Sequence, residues 1–218
     1  MRFEHAEPDL TAQAASAVVL RLQERLVHRY CEIWDEGTAR RLVPGLEALG
    51  ATVEDRILLM EAPPAGVVTA RGFQSPVEEA DGCDLDSLYL EWLMCEEIFA
   101  ADPELTRTAM RARSIRFDTI PTLAWCVRDD DGTPVAMAHL MEGDDGSAMI
   151  EDVYCTPALR RRGFGAACVH AAVRAARDAG RDPVFLPTDV AGPAPDFYAA
   201  LGFRRGEVIT RVLLRSPA

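Results

Sequence analysis

The sequence predicts an α/β (α+β) chain, a mixed and mostly antiparallel sheet flanked by helices. Three observations carry this. From Pro76 onward, segments with strand periodicity alternate with segments of helical periodicity. Strands in that region are joined by acidic glycine turns of the hairpin kind. A further strand breaks at a proline, turns through glycines and opens an apolar helix.

In the first part of the chain the periods predict a helix over 10–27, a strand over 29–34, a helix over 39–49 and a strand over 53–60. The proline-rich stretch 63–76 is expected as a linker. A short strand over 77–79 precedes a helix over 85–100, whose Leu85, Leu88, Trp92, Cys95 and Phe99 recur at helical spacing. Asp102-Pro103-Glu104 supplies a cap, a first-turn proline and an early acid for the next helix. Asp129-Asp130-Asp131-Gly132 joins strands over 121–127 and 134–140, and Asp144-Asp145-Gly146 leads into a strand over 148–155. A helix over 164–179 ends at Gly180, which suits a left-handed stop. A buried strand over 184–186, a short helix over 194–201 and a strand over 208–214 complete the chain.

The most informative run is Glu151-Asp152-Val153-Tyr154-Cys155-Thr156-Pro157, followed by Arg160-Arg161-Arg162-Gly163-Phe164-Gly165-Ala166-Ala167. A helix start leaves its first amides without intrahelical acceptors, and the aligned peptide dipoles make that end partly positive. Anions settle there. Gly163 and Gly165 can take left-handed angles and let phosphate oxygens approach the bare backbone. The same glycines come near a dinucleotide fingerprint, with Asp182 or Asp189 as the ribose acid. That reading fails because Cys168 stands where the third glycine belongs, and because the chain after Gly180 has room for one strand and a hairpin rather than repeated strand–helix units.

Arg160-x-x-Gly163-x-Gly165 directly after a strand ending Val153-x-Cys155-x-Pro157 resembles the GNAT superfamily of acyl-CoA-dependent N-acyltransferases. A second match lies downstream: Phe197-Tyr198-Ala199-Ala200-Leu201-Gly202-Phe203 is similar to the aromatic-Tyr-x-x-x-Gly-Phe signature of that superfamily. The resemblance implies the GNAT fold over 71–218, with a central twisted sheet, and acetyl-CoA as acyl donor. Residues 1–70 are expected as a degenerate half-GNAT segment, because Leu46-Glu47-Ala48-Leu49-Gly50-Ala51 echoes Tyr198-Ala199-Ala200-Leu201-Gly202-Phe203 and each is followed by a strand. Coincidence between two Leu-Gly helix ends is the competing explanation. No Arg-x-x-Gly-x-Gly precedes the first of these helices, so one cofactor is expected, not two.

The resemblance also implies roles for residues. Amides of Arg162, Gly163, Phe164, Gly165, Ala166 and Ala167 would bind the pyrophosphate, with Arg160, Arg161 and Arg162 adding charge nearby. The backbone of Val153 and Cys155 would pair with the pantetheine arm like an added strand, in a gap expected after Cys155 and around Leu186. The amide of Val153 or Tyr154 would hold the oxyanion. Tyr198 matches the superfamily's general acid, with an aromatic on an apolar helix face as the plainer alternative. Strand alternation sets Glu151, Val153 and Cys155 on one face and turns Asp152 to the other, which makes Glu151 the candidate base; a surface ion-pair partner is its alternative. Asp189 could hold a substrate cation or cap the next turn. His139 and His170 are expected to be structural. Many relatives carry an asparagine about seven residues before the tyrosine; Ala191 stands there in this chain.

Composition agrees with this direction. The chain has 218 residues, is 49% hydrophobic and carries a formal net charge of −12. That balance disfavours nucleic acid and anionic membranes and favours cationic substrates. Lysine and asparagine are both absent, so arginine carries all side-chain positive charge other than histidine. Six cysteines, Cys31, Cys83, Cys95, Cys126, Cys155 and Cys168, show neither Cys-x-x-Cys pairs nor histidine partners at metal spacing, so no metal site is expected. Reduced thiols in a cytoplasmic protein are expected, since the apolar run over 12–20 lacks a basic start and a spanning length. The expected acceptor is an amine of a small molecule or a peptide. Further readings stay open: a noncatalytic acyl-CoA-binding module, a thiol or hydroxyl acceptor, and an N-terminal half that completes the sheet internally or mediates a homodimer.

Overall fold

The computed structural model describes residues 1–3, 7–26, 29–64 and 76–214. Nine strands and seven helices run in the order β1 (Arg2–Phe3), α1 (Ala12–Leu22), β2 (Arg29–Ile33), α2 (Glu36–Ala48), β3 (Thr52–Glu61), β4 (Val77–Ala80), α3 (Asp86–Met94), α4 (Glu97–Ala101), α5 (Pro103–Thr119), β5 (Thr122–Arg128), β6 (Pro134–Glu142), β7 (Ala148–Cys155), α6 (Phe164–Asp178), β8 (Val184–Asp189), α7 (Ala194–Ala200) and β9 (Arg204–Leu214) among the described residues. The chain divides into two compact units, residues 1–60 with 187–199 and 205–218, and residues 61–186 with 200–204.

In the first unit the strands lie in the order β1-β2-β9-β3. β1 is parallel to β2, and β2 is antiparallel to β9 with Cys31 opposite Val212. Thr11 caps α1 by accepting from the Ala14 amide, and Asp35 caps α2 by accepting from the Thr38 amide. Each helix then turns an apolar stripe inward. Ala12, Ala15 and Val19 of α1 and Ala39, Leu42 and Leu46 of α2 share one buried cluster with Cys31, Ile33, Val212 and Leu214. The two helices pack so closely that a Cβ on Gly45 would stand 2.6 Å from Ala12 Cβ.

In the second unit the order is β8-β7-β6-β5-β4. The pairs β4–β5, β5–β6 and β6–β7 are antiparallel and β7–β8 is parallel, which makes the mixed, mostly antiparallel sheet expected from the turns. The β5–β6 turn forms as its sequence predicts: Asp129 Oδ1 accepts from the Asp131 and Thr133 amides, and Gly132 takes φ 80°. Helix α6 packs across β5, β6 and β7. A core cluster joins Leu85, Leu88, Tyr89 and Leu93 to Ala124, Cys126, Met137 and Tyr154.

Several elements depart from the sequence reading. The helix expected over 85–100 divides into a 3-10 turn at Gly82–Leu85, then α3 and α4, because Glu96 adopts extended angles (φ −94°, ψ 123°) between the helices. The apolar spacing runs straight through that break, so periodicity alone could not show it. β9 starts at Arg204 and β8 continues to Asp189, each longer than its apolar run. β1, two residues long, is too short to carry a period. The linker expected over 63–76 falls mostly on residues 65–75, which lie outside the described residues.

α2 leaves through Gly50 at φ 86°, and the turn after α7 passes through Gly202 at φ 94°. The two segments that echo each other in sequence therefore share a left-handed glycine exit. No described helix is long and apolar enough to cross a membrane.

Candidate active site

β7 is paired differently on its two edges. Toward β6 the ladder extends from Ala148 to Cys155. Toward β8 it consists of Ala148↔Val184 and Met149↔Phe185. Pro187 has no N–H with which to continue such a ladder. The strands therefore part after Met149 and around Leu186, earlier in β7 than the gap expected after Cys155.

The β6 ladder contains an irregularity. Met137 faces Tyr154, but His139 faces Glu151, so β7 carries one extra residue between these pairs. Asp152 sits in this bulge at φ 51°, a left-handed angle that a non-glycine residue holds at a cost of about 1–2 kcal/mol. The alternation expected along the strand survives as burial, with Asp152 and Tyr154 buried and Glu151, Val153 and Cys155 half-buried.

Asp152 points into a polar cluster built largely by α5. Its carboxylate is ion-paired with Arg116. His139 Nδ1 lies 3.4 Å from Asp152 Oδ2, out of line for a hydrogen bond. Arg113 approaches His139 Nε2 at 3.5 Å, donates to the Gly82 carbonyl at 2.8 Å and is ion-paired with Asp86. Its guanidinium also stands over the rings of Phe117 and Tyr89 at 4.4 and 4.8 Å. Burial, helped by Arg113 and Arg116, lowers His139 to about 3, so the ring is neutral. Because arginine can only donate, Nε2 is the acceptor and the ring proton sits on Nδ1, facing Asp152. His139 is thus structural, as expected.

Glu151, beside this cluster, has its carboxyl pushed up to about 7 by burial and by the neighbouring Asp152 charge. A carboxylate so placed is available as a base near neutral pH. Cys155 is half-buried, and burial raises its thiol, so it remains protonated and is a poor nucleophile.

Tyr154 is 4% exposed and its hydroxyl donates to Glu91 Oε1 at 3.1 Å, while Thr156 Oγ1 donates to Glu91 Oε2 at 3.2 Å. Beyond Thr156, a 3-10 turn at Pro157–Leu159 leads to the arginines. Arg160 folds back: Nε donates to the Cys155 carbonyl at 3.0 Å, and its guanidinium lies 5.7 Å from the Tyr154 ring centre. Arg161 takes φ 68° and Gly163 takes φ 89°, ψ 0° as the residue capping α6. The Ala167 amide bonds the Gly163 carbonyl at 3.0 Å, the first intrahelical bond of α6, so the turn before it presents the helix's amide end. Gly165 lies inside that first turn without a left-handed angle; the left-handed work expected of both glycines falls to Arg161 and Gly163.

The first unit holds the remaining candidates. Tyr198 lies on α7, 7% exposed, with its ring 5.0 Å from that of Phe197. Asp189 is exposed and its Oδ1 accepts from the Ala191 amide at 2.9 Å, the turn-capping alternative of its two readings. Sequence reasoning missed Glu91, Arg113 and Arg116. A signal existed for Arg113, which continues the stripe Thr106, Ala109, Met110 and Phe117 on α5 where an apolar residue is the default. Nothing local marks Glu91 or Arg116.

The sequence profile of the acetyltransferase (GNAT) family matches residues 87–203, more than half of the chain. The chain belongs to the GNAT family. Its fold recurs in a GCN5-related N-acetyltransferase from Kribbella flavida (19% identity, 97% of this chain and 80% of that one, TM-score 0.66). A functionally unknown conserved protein from Staphylococcus epidermidis is similar over 99% of this chain and 84% of its own (12% identity, TM-score 0.69). A tandem GNAT protein from the clavulanic acid biosynthesis pathway is similar over 94% and 70% (15% identity, TM-score 0.60). At these identities the likeness is one of fold. No curated protein matches the sequence. Membership in the GNAT family assigns acyl transfer in general terms.

Proposed function

We propose that this GNAT protein is an acetyl-CoA-dependent N-acetyltransferase that acts on a primary amine of a small molecule or peptide by direct transfer. The observation that carries the reading is Glu151: a half-buried carboxyl near neutral pKa, on a strand edge that parts from its neighbour just before an amide-lined helix start.

Acetyl-CoA supplies an activated acyl thioester. The amides from Arg162 to Ala167 suit its pyrophosphate, since charge-assisted amide bonds contribute about 1.5–3 kcal/mol each before desolvation. Arg161 and Arg162 add exposed positive charge; Arg160 must leave the Cys155 carbonyl to join them. The backbone of Val153 and Cys155 offers the pantetheine arm the edge that β8 leaves unpaired.

Glu151 takes the proton of the incoming ammonium, directly or through water, and the freed nitrogen bonds the acyl carbon. The Val153 or Tyr154 amide, turned by the bulge, holds the developing oxyanion. The carbon–sulfur bond then breaks, Tyr198 gives its proton to the departing thiolate, and the nitrogen releases its second proton through water, which restores the tyrosine hydroxyl. The support for Tyr198 is its position in the Phe197–Phe203 motif. Asp189 is retained as a weaker candidate for holding a substrate cation, and the acidic balance of the chain favours such substrates.

An amine panel read by released CoA thiol tests this. Turnover by the wild type that falls at least a hundredfold in Glu151→Gln is expected. Tight acetyl-CoA binding without release of thiol on any amine would replace the enzyme by a binding module.

A further inference from the structure

The β7 bulge has an anchor that the chemistry above does not use. Asp152 combines a left-handed backbone, 5% exposure and an ion pair to Arg116, which reaches it from α5. The strand neighbours of this residue are Glu151 and Val153, the proposed base and a proposed oxyanion donor. We propose that Arg116 and Asp152 are positioning residues, whose ion pair holds the bulge in its left-handed turn and thereby fixes where the Glu151 carboxylate and the Val153 amide stand. This rests on the acetyltransferase reading for its consequence in rate, but not for its consequence in backbone order.

The geometry supports the assignment in three ways. A buried carboxylate without a partner is expensive, so the side chain must follow the guanidinium, and the backbone at 152 follows the side chain. The guanidinium is itself constrained. Arg116 lies 5.5 Å from the Phe117 ring centre, and the Phe117 ring packs, tilted by 41°, at 5.0 Å from that of His139, the residue that faces Glu151 across the ladder. Finally, the charges that act on Glu151 come from this pair, Asp152 on its own strand and Arg116 from α5, while His139 on β6 is neutral and Arg113 is engaged by Asp86. Displacing the pair moves both the base and its electrostatic surroundings, while the phosphate-binding turn is untouched.

The experiment compares wild type with Arg116→Met, Arg116→Lys and the double variant Arg116→Met/Asp152→Asn, which removes both charges and so leaves no buried charge unpaired. Arg116→Met and the double variant are expected to lose tenfold or more in kcat with a smaller loss of acetyl-CoA affinity, since Val153 shifts while the amides at the start of α6 do not, and Arg116→Lys should recover at least half of the loss in kcat on a logarithmic scale. Amide hydrogen exchange over residues 151–155 is expected to quicken tenfold or more in the double variant, with the exchange of α6 unchanged. Wild-type kcat in the double variant overturns the proposal. So does exchange over 151–155 that matches wild type, a result that is readable even if no amine is turned over. An inactive wild type whose 151–155 exchange still responds to the variants would sink the enzyme reading and leave the anchor standing.

Discussion

The hydroxyl of Tyr154 donates to Glu91 Oε1 at 3.1 Å, and through it α3 is tied to the strand that carries the proposed base. The tie is enclosed, since Tyr154 is 4% exposed and Trp92 packs 6.4 Å from its ring centre. Burial above all, then the contacts with Cys95 and Glu91, push the Tyr154 hydroxyl up, so it remains protonated throughout the working range.

Removing Glu91 leaves the Tyr154 hydroxyl to the weaker sulfur of Cys95 at 3.4 Å, whereas removing the hydroxyl leaves Glu91 still accepting from Thr156. Glu91→Ala is expected to destabilise by about 1–3 kcal/mol, because a buried hydroxyl loses its acceptor and Thr156 loses one as well. Tyr154→Phe should cost less. In a double-mutant cycle read by urea unfolding, the two changes should couple by about 1 kcal/mol or more; additivity within about 0.3 kcal/mol would show that the bond contributes nothing.

Glu151 gives a pH signature in both rate and stability. As a base it must be ionised, so kcat/KM should rise with pH through about 7, and Glu151→Gln should erase that limb. Stability runs the other way. The folded value of about 7 lies above the ordinary 4.5, so between these the folded protein retains a proton that the unfolded chain has released. Its contribution to stability is therefore intact below about 4.5 and declines as pH rises to about 7. Glu151→Gln should be more stable than wild type at pH 8, by on the order of 1–3 kcal/mol, with the difference vanishing in acid. Equal melting of the two proteins at pH 8 would show that Glu151 is not held at a cost.

What the sequence disclosed and what it hid divide along local and nonlocal lines. The turn from β7 into α6 was legible because its parts are contiguous: a proline, an arginine run, Gly163 and an apolar stripe. The bulge at Asp152 was not, since an extra residue in one strand is defined only against the register of its partner, and Met137 and His139 are remote in sequence. Alternation along the strand anticipates the burial of Asp152 and the half-burial of Glu151 but could not show that Arg116 meets Asp152. The break at Glu96 was hidden for another reason, because the apolar residues on either side keep helical spacing while the backbone between them does not. The early parting of β7 from β8 had a visible cue in Pro187, whose missing donor ends a ladder from a central strand.

Gly45 offers a test of packing against propensity in the first unit. Alanine is the better helix former by about 1 kcal/mol, so on propensity alone Gly45→Ala should stabilise α2. The added Cβ would stand 2.6 Å from Ala12 Cβ, well inside contact distance, and both atoms are fixed to backbone. Such overpacking typically costs about 1–3 kcal/mol, so the net effect should be destabilising by up to about 2 kcal/mol. Ala12→Gly in the same chain should relieve the clash. A higher melting temperature for Gly45→Ala alone would mean that α1 and α2 are not held in this contact.

Gly163 joins backbone geometry to the proposed cofactor site. It caps α6 at φ 89°, where a β-branched residue meets its own carbonyl, so Gly163→Val must either hold a strained angle or reshape the turn. Strain of about 1–3 kcal/mol should appear in the melting temperature if the turn is kept. Reshaping instead displaces the amides at the start of α6, and then acetyl-CoA affinity by calorimetry should fall at least tenfold with little loss of stability. Gly165→Ala provides the contrast. It lies within helical backbone, so it carries no angular strain, and any weakening of acetyl-CoA binding reports the crowding of a methyl group in the proposed phosphate site. Wild-type affinity in Gly163→Val, with stability also unchanged, would move the pyrophosphate away from this turn and remove the physical basis for placing the thioester beside Glu151.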